Sequence, residues 1–393
     1  MHSDELLQLL KRGCRGELSA IRCITTLQPS EGAGGKINPP TYEGGAYAFE
    51  DRMIGGQPVK TVLLDSVQSM SNRYEEALLE AFRAGRLNMP LFEMKVGEHE
   101  VNSLTVPHRV HDAILRDSLW NGQPFRESEN GKRLISARAW NAVAFFEYAP
   151  HVLLLGTWDS QGGGGVNSAK IARSLVSEII ALGVVPGVRT SSRIDPLGIK
   201  AVQNVIAKTD DRSQWRFLEA PDKKAKMLKP SEINHGNVTP TISDPEKKEP
   251  GGVTFREAVQ TTVLSLTQLR KLRFPEKGGG VSADRDVAGR VAIAALGLFA
   301  VTLQQEDGYQ LRSRCHLVPV AAAEFEVIGR TEQEREAFGL DSATAEAALN
   351  GALAEAEKHG LKWHKGSIEL QPREDLLKLV AYSDKAVSAA QGG

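Results

Sequence analysis

The sequence predicts an α+β fold, and three observations predict it. Several short strand-like runs are separated by Gly- and Pro-punctuated polar stretches, and other segments show helical apolar periodicity. One segment, Asp284 to Glu306, is apolar on nearly every face and therefore belongs in a core. With 393 residues, 41% hydrophobic and 25% charged, the chain can bury a large interior. The longest apolar stretch, Val291 to Leu303, is broken by Gly297 and Thr302 and is shorter than the roughly 20 residues of a membrane helix. Met1-His2-Ser3-Asp4-Glu5 lacks the basic start of a signal peptide, so no membrane partner and a cytoplasmic location are expected. Cys14, Cys23 and Cys315 are too widely spaced to suggest a disulfide framework or a zinc site.

Each element follows from local pattern. Glu17 to Leu27 reads as a first strand, ending before the Gly-rich loop Gly32 to Gly45, which contains Lys36 and Asn38. Val59 to Leu64 is a second strand, with Asp65 or Ser66 capping a helix from Val67 to about Ala84. That helix places Val67, Met70, Tyr74, Leu78 and Ala81 on one side and Gln68, Ser69, Asn72 and Arg73 on the other. Residues 87–149 are mixed. His151 to Leu155 reads as a buried strand, followed by a glycine run to Gly165 and a helix from about Asn167 to Leu182. Lys170, Arg173 and Ser177 share the polar side of that helix.

Val184 to Ile194, if extended, points Arg189, Ser191 and Arg193 to one face. Lys208 to Gly252 is Pro-rich and charged, a projecting arm that includes Asn234 and His235. Ser282 caps the apolar helix, with Asp284 and Asp286 favoured in its first turn. Leu311 to Pro319 is a strand with Arg312, Arg314 and His316 on one face, and residues 320–393 are expected to be helical and acidic.

Net charge is −1, yet it is unevenly placed. Gly131 to Arg216 holds 11 Lys or Arg against 6 Asp or Glu, whereas Val320 to Gly393 holds 8 against 13. Arg and Lys recurring with Ser and Asn suit phosphates and ribose rather than base edges. The glycine run precedes a helix but lacks the Gly-Lys-Ser/Thr ending of a nucleotide P-loop. His108 and His111 lack a third ligand, and no nucleophile-base motif is present, so neither metal nor cofactor nor catalytic residue is expected.

Seven ordered segments carry a resemblance: Asp65-Ser-Val-Gln-Ser-Met-Ser-Asn-Arg73, Arg133-Leu-Ile-Ser-Ala-Arg138, Lys170-Ile-Ala-Arg-Ser-Leu-Val-Ser-Glu178, Val188-Arg-Thr-Ser-Ser-Arg-Ile-Asp-Pro196, Lys229-Pro-Ser-Glu-Ile-Asn-His-Gly-Asn237, Leu272-Arg-Phe-Pro275 and Leu311-Arg-Ser-Arg-Cys315. Together they resemble the backbone subunit of type I-G (formerly I-U) CRISPR Cascade complexes, of the repeat-associated mysterious protein (RAMP) superfamily. The resemblance implies a ferredoxin-like, RRM-related palm over 1–319, a finger-like region at about 66–150, a thumb-like arm at about 208–252 and an acidic region at 320–393.

It also implies a non-catalytic protein whose copies stack head to tail along CRISPR guide RNA. Its further partners are other Cascade subunits and, through the guide, target DNA. RNA-binding residues expected on that basis are Gln68, Ser69, Asn72, Arg73, Arg138, Lys170, Arg173, Arg189 and Arg193. Lys36 and Asn38 join them for loop position, and Asn234 and His235 for their place in the arm. Acidic Glu324 to Glu357 is expected to stay off the RNA. Two alternatives remain: an RNA endonuclease of the type III backbone sort, using Asp195, Asp210 or Asp211, and a nucleotide enzyme using the glycine loop.

Overall fold

Alternation along β1 (Ala20–Pro29) buries Ile21, Cys23, Thr25 and Leu27 and turns Arg22, Ile24 and Gln28 the other way, which makes it the central strand of a one-sided sheet. The computed structural model describes residues 1–159, 170–199, 206–208, 215–218, 224, 226–243 and 251–392. Helix α1 (Ser3–Arg15) precedes β1; β2 (Phe49–Ile54), β3 (Gln57–Asp65) and α2 (Val67–Arg83) follow it. Next in the principal layers come β4 (Leu175–Leu182), β5 (Glu257–Ser265) and α3 (Ala283–Asp307). Then follow β6 (Tyr309–Arg312), β7 (Cys315–Pro319), β8 (Glu324–Ile328), β9 (Arg335–Phe338) and α4 (Ser342–Lys358). These nine strands form one antiparallel sheet in the order β6-β7-β1-β5-β4-β3-β2, with β8 pairing the other end of β1 and β9 pairing β8.

Helices α2 and α3 cover the buried face of the sheet. From α2 the Tyr74 hydroxyl meets Thr262 Oγ1 on β5 at 3.2 Å, and from α3 the Gln304 side chain accepts from Gln260 Nε2 at 2.9 Å. These polar contacts pin two helices to one strand inside an otherwise apolar layer. Ser282 caps α3 by accepting from the Arg285 amide. Among the described residues α3 is the only helix long and apolar enough to cross a bilayer, and 94% of its apolar window is buried within the protein. A second, five-stranded sheet has the order His99–Asn102, Leu91–Val96, Ser367–Pro372, Ser118–Trp120, Gln123–Pro124. Its central pair, Leu91–Val96 with Ser367–Pro372, is parallel.

Strands Val185–Pro186 and Val253–Thr254 pair, and beyond them Thr190–Arg193 pairs with Val238–Ile242. The ribbon so formed leaves the sheet after β4 and returns at β5. This ribbon, or arm, begins at Val185, earlier than Lys208.

Six sequence expectations are corrected. Lys170–Ile171 and Leu175–Leu182 are strands, so the helix ending at Leu182 is absent from the described part of its span. The stripe Ile171, Leu175, Ile179 repeats every four residues, a spacing that satisfies the two-residue strand period as well as the helical one. Ser177 is buried on β4 against Thr262 at 2.8 Å rather than on a polar helix face. His151–Leu155 is a helix beginning after Pro150, an apolar run too short for periodicity to discriminate.

Leu311 to Pro319 is a hairpin, turned at Arg314 with φ 55° where no glycine announces the reversal. Val184 to Ile194 is interrupted between Pro186 and Thr190, which leaves Arg189 outside the strands. The region after residue 320 holds β8, β9 and Ser367–Pro372 besides its helices. The glycine run at 162–165, the expected helix start at Asn167, and Asp210 and Asp211 lie outside the described residues.

Candidate functional site

The Gly-rich loop after β1 is drawn across the sheet end by backbone pairing. Ile37, 3% exposed, exchanges hydrogen bonds with Val253 at 3.0 and 2.8 Å, and the Asn38 amide donates to the Arg314 carbonyl at 2.8 Å. This docking sets Lys36 and Asn38 on either side of a buried anchor. Lys36 Nζ donates to the Val188 carbonyl at 3.2 Å, while the Tyr47 hydroxyl accepts from the Gly252 amide at 3.1 Å. The crossing requires glycine at 252: φ is 87°, and a Cβ there would stand 2.7 Å from the Ile37 carbonyl oxygen. The result is a cleft of about 600 Å3 lined by Lys36, Asn38, Tyr47, Arg189 and Arg314 among others.

Arg314 is exposed, and among the described residues no ion pair holds it. The other arginine of the same hairpin, Arg312, turns inward. It donates to the Leu64 carbonyl at 2.6 Å and lies 3.7 Å from Asp65, a carboxylate only 1% exposed. Arg73 reaches the same carboxylate at 2.5 Å and also donates to the Leu311 carbonyl at 2.9 Å. Asp65 thus ties the start of α2 to the hairpin and holds two guanidinium groups side by side. Gln68 and Asn72 are exposed on α2, with Ser69 half-buried between them. Of the expected residues, Lys36, Asn38 and Arg189 line this cleft and Arg73 is tied to the neighbouring hairpin, whereas Gln68 lines a separate cleft with Glu50, Arg52 and Glu178, and Ser69 and Asn72 lie on the same helix as Gln68. Arg314 in the cleft and Arg312 beside Arg73 were not among them. They belong to the segment Leu311-Arg-Ser-Arg-Cys315, whose tight Arg-x-Arg turn was the available signal for including them.

Arg138, Lys170 and Arg173 lie elsewhere. Lys170 sits 5.9 Å over the exposed Trp158 ring, on the strand pair that flanks the glycine run. Arg138 donates to the Ile135 and Ala137 carbonyls, both at 2.8 Å, which closes the turn after the Glu129–Ser136 helix. Arg173 is half-buried and donates to the Leu155 carbonyl at 3.1 Å. Burial, and then the charge of Arg109, push its guanidinium below the ordinary arginine value. Arg109 itself forms a bidentate pair with Glu75 at 2.7 and 2.9 Å, both side chains buried. This cluster braces the fold.

Arg193, Asn234 and His235 come together in the arm. Arg193 donates to the His235 and Gly236 carbonyls at 2.7 and 2.9 Å, Asn234 occupies the left-handed turn with φ 62°, and His235 meets Trp215 edge to face. The Arg193 guanidinium is spent on shaping this loop. Asp195 accepts from the Gly236 and Leu197 amides, and these hydrogen bonds hold its carboxyl below the usual carboxylate range. Around this loop the arm exposes Ile194, Leu197, Phe217 and Ile242.

What the first cluster offers chemically is a row of guanidinium, ammonium and amide donors from four distant parts of the chain. Such donors fit phosphate and sugar oxygens. Among the described residues no three metal-ligating side chains converge anywhere.

Residues 21–186 match the family described as CRISPR-associated protein GSU0053. The matched stretch runs from β1 through β4 and contains Lys36, Asn38 and Arg73, while Arg189 and the Arg312–Arg314 hairpin fall beyond it. No curated protein matches the chain.

Proposed function

We propose that this chain is a non-catalytic CRISPR guide-RNA-binding backbone subunit, copies of which stack along one guide and leave its bases free to pair with target DNA. The observation that carries the reading is the convergence of Lys36, Asn38, Arg189 and Arg314 in one cleft of phosphate-binding chemistry, with Arg73 tied to Leu311 of the same hairpin. A guide whose spacer varies must be held by its backbone, because a contact demanding one base would fail with the next spacer. The match to CRISPR-associated proteins supports a role in CRISPR defence.

Topology supports the palm reading. Taken as β1-α2-β4-β5-α3-β7, the chain follows a βαββαβ path with sheet order β7-β1-β5-β4, the 4-1-3-2 order of a ferredoxin-like domain. The arm is inserted between the second and third of those strands, as a thumb would be. Its exposed Ile194, Leu197, Phe217 and Ile242 suit burial against a neighbouring copy, and a head-to-tail interface of unlike surfaces lets stacking continue without ring closure. Purification with and without a guide transcript tests the reading through absorbance ratio and particle mass. The expected result is several protein copies per RNA; a nucleic-acid-free monomer indifferent to added guide would overturn it.

A further inference from the structure

A second basic cleft, of about 720 Å3, opens between residues 133–147, 275–279 and 360–362. Arg285 lines it while only 9% exposed, its Nε donating to the Phe274 carbonyl at 2.8 Å and its Nη1 to the His359 carbonyl. Among the described residues no carboxylate pairs with it, so its charge is offset only by carbonyl dipoles. The approach is built in. Gly360 has φ 73°, and a Cβ there would come within 2.9 Å of Arg285 Nη1. The remaining lining adds Arg133, Lys277 and Lys362 against Glu147 and Glu276. Arg133 is paired with Glu147 and Lys362 with Glu357, whereas Lys277 is exposed in the Gly278–Gly279 turn and carries no ion pair among the described residues.

This cleft is separate from the guide site. Arg285 lies in the first turn of α3, and 22 helical residues separate it from Asp307, a rise of roughly 33 Å. Seven further residues to Arg314, which lines the guide cleft, recover at most about 25 Å, which leaves the two Cα atoms about 8 Å or more apart, and the two clefts share no lining residue. We propose that the cleft is a second phosphate site, holding the phosphodiester backbone of a nucleic-acid strand other than the guide. The lining argues for a strand over a free nucleotide. Its one aromatic, Phe146, is 1% exposed and packs edge-on against Phe274 in the core, so no ring is available to stack a base.

The test measures binding of fluorescent oligothymidine to the full-length protein across a salt series. It compares wild type with Lys277→Glu/Lys362→Glu, and with the milder Lys277→Gln/Lys362→Gln should charge reversal disturb folding. Both pairs are also made in a Lys36→Ala/Arg189→Ala/Arg314→Ala background, where the first site is silenced, so the outcome stands whether or not guide binding does. The expected result is at least tenfold weaker strand binding for the Glu pair, and for the Gln pair a salt slope shallower by about 1.4, that of two lost phosphate contacts. Guide retention should be unchanged. Unaltered oligothymidine affinity in both backgrounds would overturn the proposal, as would ATP that displaces the strand and loses its own binding in the same variants.

Discussion

Two groups of arginines in this molecule use the same side chain for opposite ends. Around Arg109, Glu75 and Arg173 the guanidinium groups are buried or half-buried and bound to carboxylate and carbonyl oxygens that cannot leave. Arg189 and Arg314 instead line a cleft, and beside the same hairpin Arg73 and Arg312 share the one carboxylate of Asp65, which leaves that group cationic. Residue type therefore does not separate a fold brace from an anion contact. Burial does: Arg314 is exposed at its cleft, whereas Arg109 is enclosed together with the carboxylate it binds.

The sharpest way to break the contrast is to remove one cation from each group. Arg109→Ala leaves Glu75 buried and unpaired, and should cost about 3–5 kcal/mol, read as a lowered urea midpoint. Arg314→Ala should lie within about 0.5 kcal/mol of wild type while weakening guide retention. Equal stability losses for the two would erase the distinction.

A smaller effect sharpens it through pH. Burial holds the imidazoles of His111 and His151 down to about 4 and about 3, against an ordinary 6.5. Between those values and 6.5 the unfolded chain binds protons that the folded chain refuses, so stability rises with pH and is lost on acidification. Glu75, pushed by burial up to about 7, acts with the opposite sign between its ordinary 4.5 and that value and offsets one of the two histidines. The net slope near pH 5.5 is thus at most about 1.4 kcal/mol per pH unit, favouring the higher pH. His151→Leu should flatten it, measured as urea stability from pH 5 to 7; a slope unchanged in the variant would place the acid sensitivity elsewhere.

Legibility in the sequence followed how local the determining physics was. β1, β3, the Ser66-capped α2 and the buried α3 were readable because caps, alternation and all-round apolarity are written in neighbouring residues. The strand character of Leu175–Leu182 was hidden by a four-residue repeat, and the Arg314 turn by the lack of a glycine. The outward placement of Gln68 and Asn72 on α2 could be read from helix phase alone. The docking of Lys36 and Asn38 beside Arg189 and Arg314 could not, since it depends on long-range pairing of Ile37 with Val253 and of Asn38 with Arg314. For Arg173 and Arg193 charge was visible in the sequence, but the carbonyls that occupy them were not.

The salt dependence of guide-RNA binding tests the central claim most directly, comparing wild type with Lys36→Ala/Arg189→Ala/Arg314→Ala at matched folding. If these three side chains hold phosphates of a single strand, the slope of log affinity against log salt should become shallower by about 2. An unchanged slope, with RNA retained as tightly as before, would contradict the assignment of this cleft to the guide.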